Sequence, residues 1–81
     1  MEFDKYAVGN VIRKLRKEKK ISQEVLSGFA GMARSHLAMV ENGTKKANFE
    51  TIWKIANALE MKPHELVKCI EEEITKNSEK I

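Results

Sequence analysis

Fifteen lysines and arginines, two histidines and one cysteine carry most of the reactive or charged chemistry this 81-residue chain offers. Ten of the fifteen basic residues fall within residues 1–46 against five acidic ones, a balance of +5; residues 47–81 hold five against seven, a balance of −2. A basic field confined to one half suits a polyanion, either nucleic acid or an acidic membrane surface, although many basic surfaces only keep a protein in solution. Cys69 stands alone, so no intramolecular disulfide can form, and no Cys and His residues have metal-ligand spacing. His36 and His64 lack any Ser, Cys or carboxylate in a pattern that would make them acids or bases. Without a nucleophile, a metal cluster or a phosphate loop, the expectation is a non-enzyme with no cofactor and no metal.

The elements that position these residues follow from length and patterning. A chain this short forms one domain and buries roughly 60–65% of the surface it exposes unfolded, which leaves little room for a deep cleft. The composition is 42% hydrophobic and 33% charged, with few aromatics and no strand alternation, so a compact all-α domain is expected. The opening "MEFDKYAVGN" has neither a basic n-region nor an apolar core, and no apolar run reaches membrane-spanning length. The expectation is a cytoplasmic protein with no membrane partner.

Five helices are predicted. Asp4 caps the first, which carries Val8, Val11, Ile12 and Leu15 on one face and Arg13, Lys14, Lys17 and Lys19 largely outside it. Ser22 caps the second, which buries Val25, Leu26 and Phe29 and stops where Gly31 can turn left-handed. Gly28 lies inside this helix, where glycine costs ~1 kcal/mol relative to alanine, and close approach of another helix is the expected reason. "ARSHLAMVEN", residues 33–42, resumes with Leu37 and Val40 inward and ends at Gly43. Two short helices joined by about three residues have helix-turn-helix spacing. Asn48 caps a fourth helix with Phe49, Ile52, Ile55, Ala56 and Leu59 on its apolar face and Trp53 on it or at its margin. Pro63 opens a fifth, striped by Leu66, Val67, Ile70 and Ile74, so that the domain covers 1–75 and residues 76–81 form a frayed polar tail.

With these residues in place, "IRKLRKEKKISQEVLSGFAGMARSHLAMVENGTKKANFETIWKIANALEMKPHEL" resembles the Cro/C1 (Xre-like) helix-turn-helix family over about residues 8–67. The features that carry the likeness are "SQ" opening helix two, Ser27 after Leu26, "AG" at the turn, "VENG" ending helix three and "FETIWKIANAL" beyond it. The resemblance implies a five-helix lambda-repressor-like fold whose third helix enters the DNA major groove by its N-terminal residues. It places Ala33, Arg34, Ser35 and Met39 against base edges. An arginine fork there donates two hydrogen bonds to guanine O6 and N7, against the plain alternative of a solvated side chain. Ser35 suits a base or a phosphate, and Met39 a thymine methyl or the rim of the core. The resemblance assigns Gln23, His36, Asn42, Lys45 and Lys46 to the DNA backbone, with a half-buried histidine and a solvated loop as the alternatives for His36 and the lysines. It also pairs Arg16 with Glu41, joining helix one to the end of helix three.

Three positions depart from the family pattern. Lys20 stands where glycine is usual, Val25 where a glutamate often completes the cap with Ser22, and Ala33 where Ser or Thr often caps helix three. Most such proteins are dimers, and the helix-five stripe of Leu66, Ile70 and Ile74 is the expected interface, mainly through Ile70 and Ile74, with a core-only role as the alternative for Leu66 and Val67. The implied function is a transcriptional regulator binding double-stranded DNA as a homodimer on an approximate palindrome, with restriction-modification controllers, phage-type repressors and antitoxins as similar subtypes. RNA polymerase or a toxin is a conceivable further protein partner. A protein-interaction module that keeps the fold without reading DNA is the competing reading.

Overall fold

The computed structural model describes residues 1–79. In chain order the helices are α1 (Lys5–Glu18), α2 (Gln23–Ala30), α3 (Arg34–Glu41), α4 (Phe49–Ala58) and α5 (Pro63–Ser78), and no strand occurs among the described residues. Three of the five begin on the side-chain caps the sequence predicts. Asp4 Oδ1 accepts from Tyr6 N at 2.9 Å, Ser22 Oγ from Val25 N at 3.1 Å, and Asn48 Oδ1 from Thr51 N at 2.8 Å. At α5 the roles are reversed: Lys62 N donates to Glu65 Oε1 at 2.8 Å, with Pro63 in the first turn. Ala33 offers α3 no side-chain acceptor.

Helix stops follow backbone conformation. Gly31 ends α2 at φ 67° and Gly43 lies beyond α3 at φ 81°. Lys20 takes the same left-handed conformation, at φ 59°, as does Glu60 after α4, at φ 60°. Each is a non-glycine in a region that disfavours side chains, and the two turns are joined by an exposed ion pair, Lys19 Nζ to Glu60 Oε1 at 3.2 Å. α5 continues through Ser78, so Lys76–Ser78 are helical and not the start of the frayed tail expected from 76; the last two residues of that tail lie outside the described ones.

α1 packs on α3 and α5, α2 on α3 and α4, and α4 on α5. Ile12, Leu26, Leu37, Ile55, Leu59 and Leu66 meet at the centre with almost no exposure. Three expectations about faces need correction. Phe29 is 70% exposed and Val25 40%, so α2 buries Leu26, Ser27 and Ala30 instead, because only this side meets α3 and α4. Phe49 is likewise exposed, at the first turn of α4 and outside the core. The stripe expected at a dimer surface is core: Leu66 is fully buried and Ile70 and Ile74 nearly so, since α5 is sandwiched against both α1 and α4.

What α4 and α5 present outward is a different apolar set. Phe49, Trp53 and Val67 are 71%, 50% and 43% exposed, the two rings meeting edge to face with centroids 6.0 Å apart. Beside Val67 runs an open groove of about 400 Å³, flanked by Met1 and Phe3 and floored by Val8, Ile52, Ile70 and Ile74. No helix of the described residues is long and apolar enough to cross a membrane.

Candidate nucleic-acid interface

α3 is an eight-residue helix, too short to hold its shape without neighbours. Leu37 and Val40 fix it to the core. Its two ends are treated in opposite ways. At the N-terminus Ala33 gives no cap, and Ala33, Arg34 and Ser35 all stand exposed. His36 and Met39 follow on half-buried positions, as does Ala38, so the first turn offers a guanidinium and a hydroxyl to whatever approaches.

The C-terminus is closed completely. A helix leaves its last four carbonyls without intrahelical partners, and here each finds one. Ala38 O accepts from Asn42 N at 3.0 Å, Val40 O from Gly43 N at 3.3 Å and Met39 O from Lys45 N at 3.1 Å. The fourth, Glu41 O, accepts from a different helix: Arg13 Nη2 of α1 donates to it at 2.8 Å.

The Glu41 side chain is buried, and three residues hold it. Arg16 engages both carboxylate oxygens, Nε to Oε2 at 2.7 Å and Nη2 to Oε1 at 2.9 Å, while its Nη1 donates to Ile21 O at 3.0 Å. Gln23 Nε2 adds a bond to Oε1 at 3.0 Å, and Arg13 Nε stands 3.7 Å from the same oxygen. Burial alone pushes the Glu41 carboxyl up; the Arg16 and Gln23 hydrogen bonds and the two arginine charges outweigh it and hold the group below the ordinary carboxylate range. The bond to Glu41 correspondingly raises Arg16. No buried side-chain nitrogen or oxygen among the described residues lacks a hydrogen bond. One residue therefore ties α1, α2 and α3 together.

Gly9 makes that tie possible. A Cβ there would lie 2.6 Å from Val40 O and closer still to Glu41 O, so only glycine lets the end of α3 seat on α1. Tyr6, one turn earlier, packs its ring on Gly43. Gly28, by contrast, faces open space with nothing within 4 Å of an added Cβ, which corrects the expectation of a helix crossing there. Sequence reasoning passed over Gly9, Tyr6 and the Arg13 contact. A glycine inside a predicted helix was the available signal, but Gly9 and Gly28 share it, and only the fold says which has a neighbour.

The remaining candidates gather around α3. Gln23, at the start of α2, spends one amide hydrogen on Glu41 and keeps the other. Asn42 Oδ1 accepts from Thr44 N at 2.9 Å and from the Thr44 hydroxyl, which leaves its exposed amide nitrogen as a donor. Lys45 and Lys46 are exposed in the same loop. The structure thus brings Arg34 and Ser35 to one end of α3 and Asn42, Lys45 and Lys46 to the other. His64 is exposed in the first turn of α5, apart from both groups, and no cluster of three or more His, Cys, Asp or Glu residues among the described ones has a metal-binding arrangement.

Comparison with known proteins gives a consistent set of relatives. A helix-turn-helix family model matches residues 12–66. Control protein C.MunI of a Mycoplasma species is 34% identical over 70 residues, spanning 85% of this chain and 95% of that protein. Among solved structures, the restriction-modification controller protein C.AhdI of Aeromonas hydrophila is 38% identical with a TM-score of 0.75, covering 78% of this chain and 96% of its own. The controller C.Esp1396I is 25% identical with a TM-score of 0.83, covering 94% and 99%. It has also been solved as a tetramer with its natural 35 base-pair operator.

Proposed function

The chain belongs to the helix-turn-helix family of Cro/C1 type, and from that premise we propose that it is a transcriptional regulator of the restriction-modification controller type, reading double-stranded DNA as a homodimer on an approximate palindrome. The observation that carries this reading is the contrast between the two ends of α3. Its C-terminus is locked to α1, while Arg34 and Ser35 project uncovered from the other end.

The mechanism follows from that geometry. Arg34 donates its guanidinium fork to guanine O6 and N7, worth about 1–3 kcal/mol of discrimination. Ser35 hydrogen-bonds a neighbouring base edge, Met39 contacts a thymine methyl, and Ala33 leaves the backbone free to approach. Gln23, His36 and Asn42 donate to phosphates, and Lys45 and Lys46 displace condensed counterions, so affinity falls steeply with salt. No cofactor enters.

The dimer surface is Phe49, Trp53 and Val67 with the adjoining groove, whose floor Ile70 and Ile74 form, while Leu66 is spent wholly on the protomer core. Its rim carries both signs, Lys68 and Glu71, which allows opposite charges to pair across a two-fold axis. Such a dimer sets two reading helices about 34 Å apart, one turn of duplex.

Selection of duplexes from a random pool tests the reading, followed by Arg34→Ala on the recovered site. Loss of preference at one guanine supports direct reading; uniform weakening makes Arg34 a backbone contact. Binding with no salt dependence and no response to Arg34→Ala would instead favour a protein-interaction module. For the dimer, Trp53→Lys is expected to sediment as a monomer and to bind paired half-sites no better than single ones.

A further inference from the structure

We infer that Arg13 is a positioning residue for the α3 reading helix: it fixes the axial seat of that helix through the Glu41 carbonyl and so sets base discrimination without touching DNA. This deepens the proposed function and rests on it. Three observations point the same way. The Glu41 carbonyl is the last of the four at the end of α3 and the only one closed from outside the α3 end and its following loop, by Arg13 Nη2 at 2.8 Å. Gly9, one turn earlier on α1, brings the Val40 and Glu41 carbonyls so close that any slide of α3 along α1 would have to break this contact. At the opposite end of α3 Ala33 supplies no cap, so that end is held by the packing of Leu37 in the core and not by a side-chain hydrogen bond.

Arg13 and Arg16 divide the work on one residue. Arg16 holds the carboxylate in a bidentate pair, which fixes where the Glu41 side chain goes. Arg13 holds the backbone, which fixes where the helix end goes, and its Nη1 is steadied at 3.4 Å by Asn10 Oδ1. A shift of under an ångström at this end passes rigidly along eight residues to Arg34 and Ser35, where a bidentate contact tolerates little displacement.

The Arg13 side chain is still 37% exposed, so the experiment must separate positioning from a phosphate contact. Arg13→Met keeps the apolar stem and removes the donors; Arg13→Lys keeps the charge but not the planar fork that spans Glu41 O and Asn10. Three readouts apply: affinity for the selected duplex against salt, discrimination at the guanine lost in Arg34→Ala, and amide hydrogen exchange of Asn42, Gly43 and Lys45 in the free protein. Positioning predicts that Arg13→Met weakens specific binding roughly ten-fold, the scale of one charge-assisted bond. The slope of log affinity on log salt stays unchanged, the loss shrinks in an Arg34→Ala background, and the three amides exchange faster. Lysine restores neither the discrimination nor the protection. A slope lower by about one, with discrimination intact and full rescue by lysine, would make Arg13 a phosphate contact and overturn the inference. If wild-type protein binds no duplex, the functional reading fails by itself. Exchange in the free variants then still decides the seat, and unchanged protection in Arg13→Met refutes it.

Discussion

Gly9 and Gly28 are both helix-interior glycines, and alanine should have opposite effects at the two. In Gly28→Ala the added methyl meets nothing within 4 Å, so only backbone propensity changes and stability should rise by about 0.5–1 kcal/mol. Gly9→Ala gains the same propensity, but its methyl would sit 2.6 Å from Val40 O and nearer to Glu41 O, well inside van der Waals contact. Neither obstacle is a side chain that can swing away; both are carbonyls of a helix end. α3 must lift from α1, with an overpacking penalty of about 1–3 kcal/mol. Lifting also stretches the Arg13 bond to Glu41 O, worth about 1.5–3 kcal/mol when charge-assisted. The propensity gain is smaller than either, so a net loss of about 2–4 kcal/mol is expected. In a domain of this size each kcal/mol moves Tm by roughly 4–8 °C, so thermal unfolding by circular dichroism resolves the pair easily. Specific DNA binding should fall in Gly9→Ala even below its Tm and stay unchanged in Gly28→Ala. A Gly9→Ala protein as stable as wild type would refute the close seating of α3 on α1 and the reasoning built on it.

Other consequences can be checked in the same apparatus. Glu41 titrates below its ordinary value in the folded state, so as pH falls the unfolded chain binds its proton first; the cluster's contribution is present above the ordinary carboxylate value of about 4.3 and is lost as pH falls from there through the lowered folded-state value. Urea titrations between pH 7 and pH 3 should show this loss in wild type and a smaller one in Glu41→Gln. Arg16→Met leaves a buried carboxylate short of its main partner and should cost about 3–5 kcal/mol, read as a lower urea midpoint with unchanged m-value. Lys20→Gly relieves a left-handed residue and should stabilise by about 1 kcal/mol, visible as a Tm rise with no change in DNA affinity.

Much of the fold was legible because helix ends are written locally. Asp4, Ser22 and Asn48 are acceptors that bond amides two or three residues on, and Gly31 needs only its own φ. Faces were less legible, because periodicity marks a stripe without saying what covers it. Phe29 and Phe49 follow the apolar pattern yet lie exposed, outside the faces of α2 and α4 that meet other helices. The Ile70 and Ile74 stripe was real, but a three-helix contact at α5 absorbed it, leaving Phe49, Trp53 and Val67 outside. The candidate interface divides in the same way. Arg34, Ser35, Asn42 and the lysines stand on exposed turns that the family resemblance singles out by position, whereas the seat made by Gly9 and Arg13 joins residues 28 or more apart in the chain.

The uncapped first turn of α3 has an evolutionary corollary. On the proposed function, replacing Ala33, Arg34 or Ser35, which stand exposed on that turn, should alter which sequence is read while leaving the folded state almost untouched. A descendant can change operators by drift at two or three positions, one at a time, without passing through an unfolded ancestor. Glu41, Arg16 and Gly9 have no such latitude, because a change there removes the support on which every specificity depends. Variation should therefore be concentrated in a single turn of one helix, with constancy on the helix beneath it.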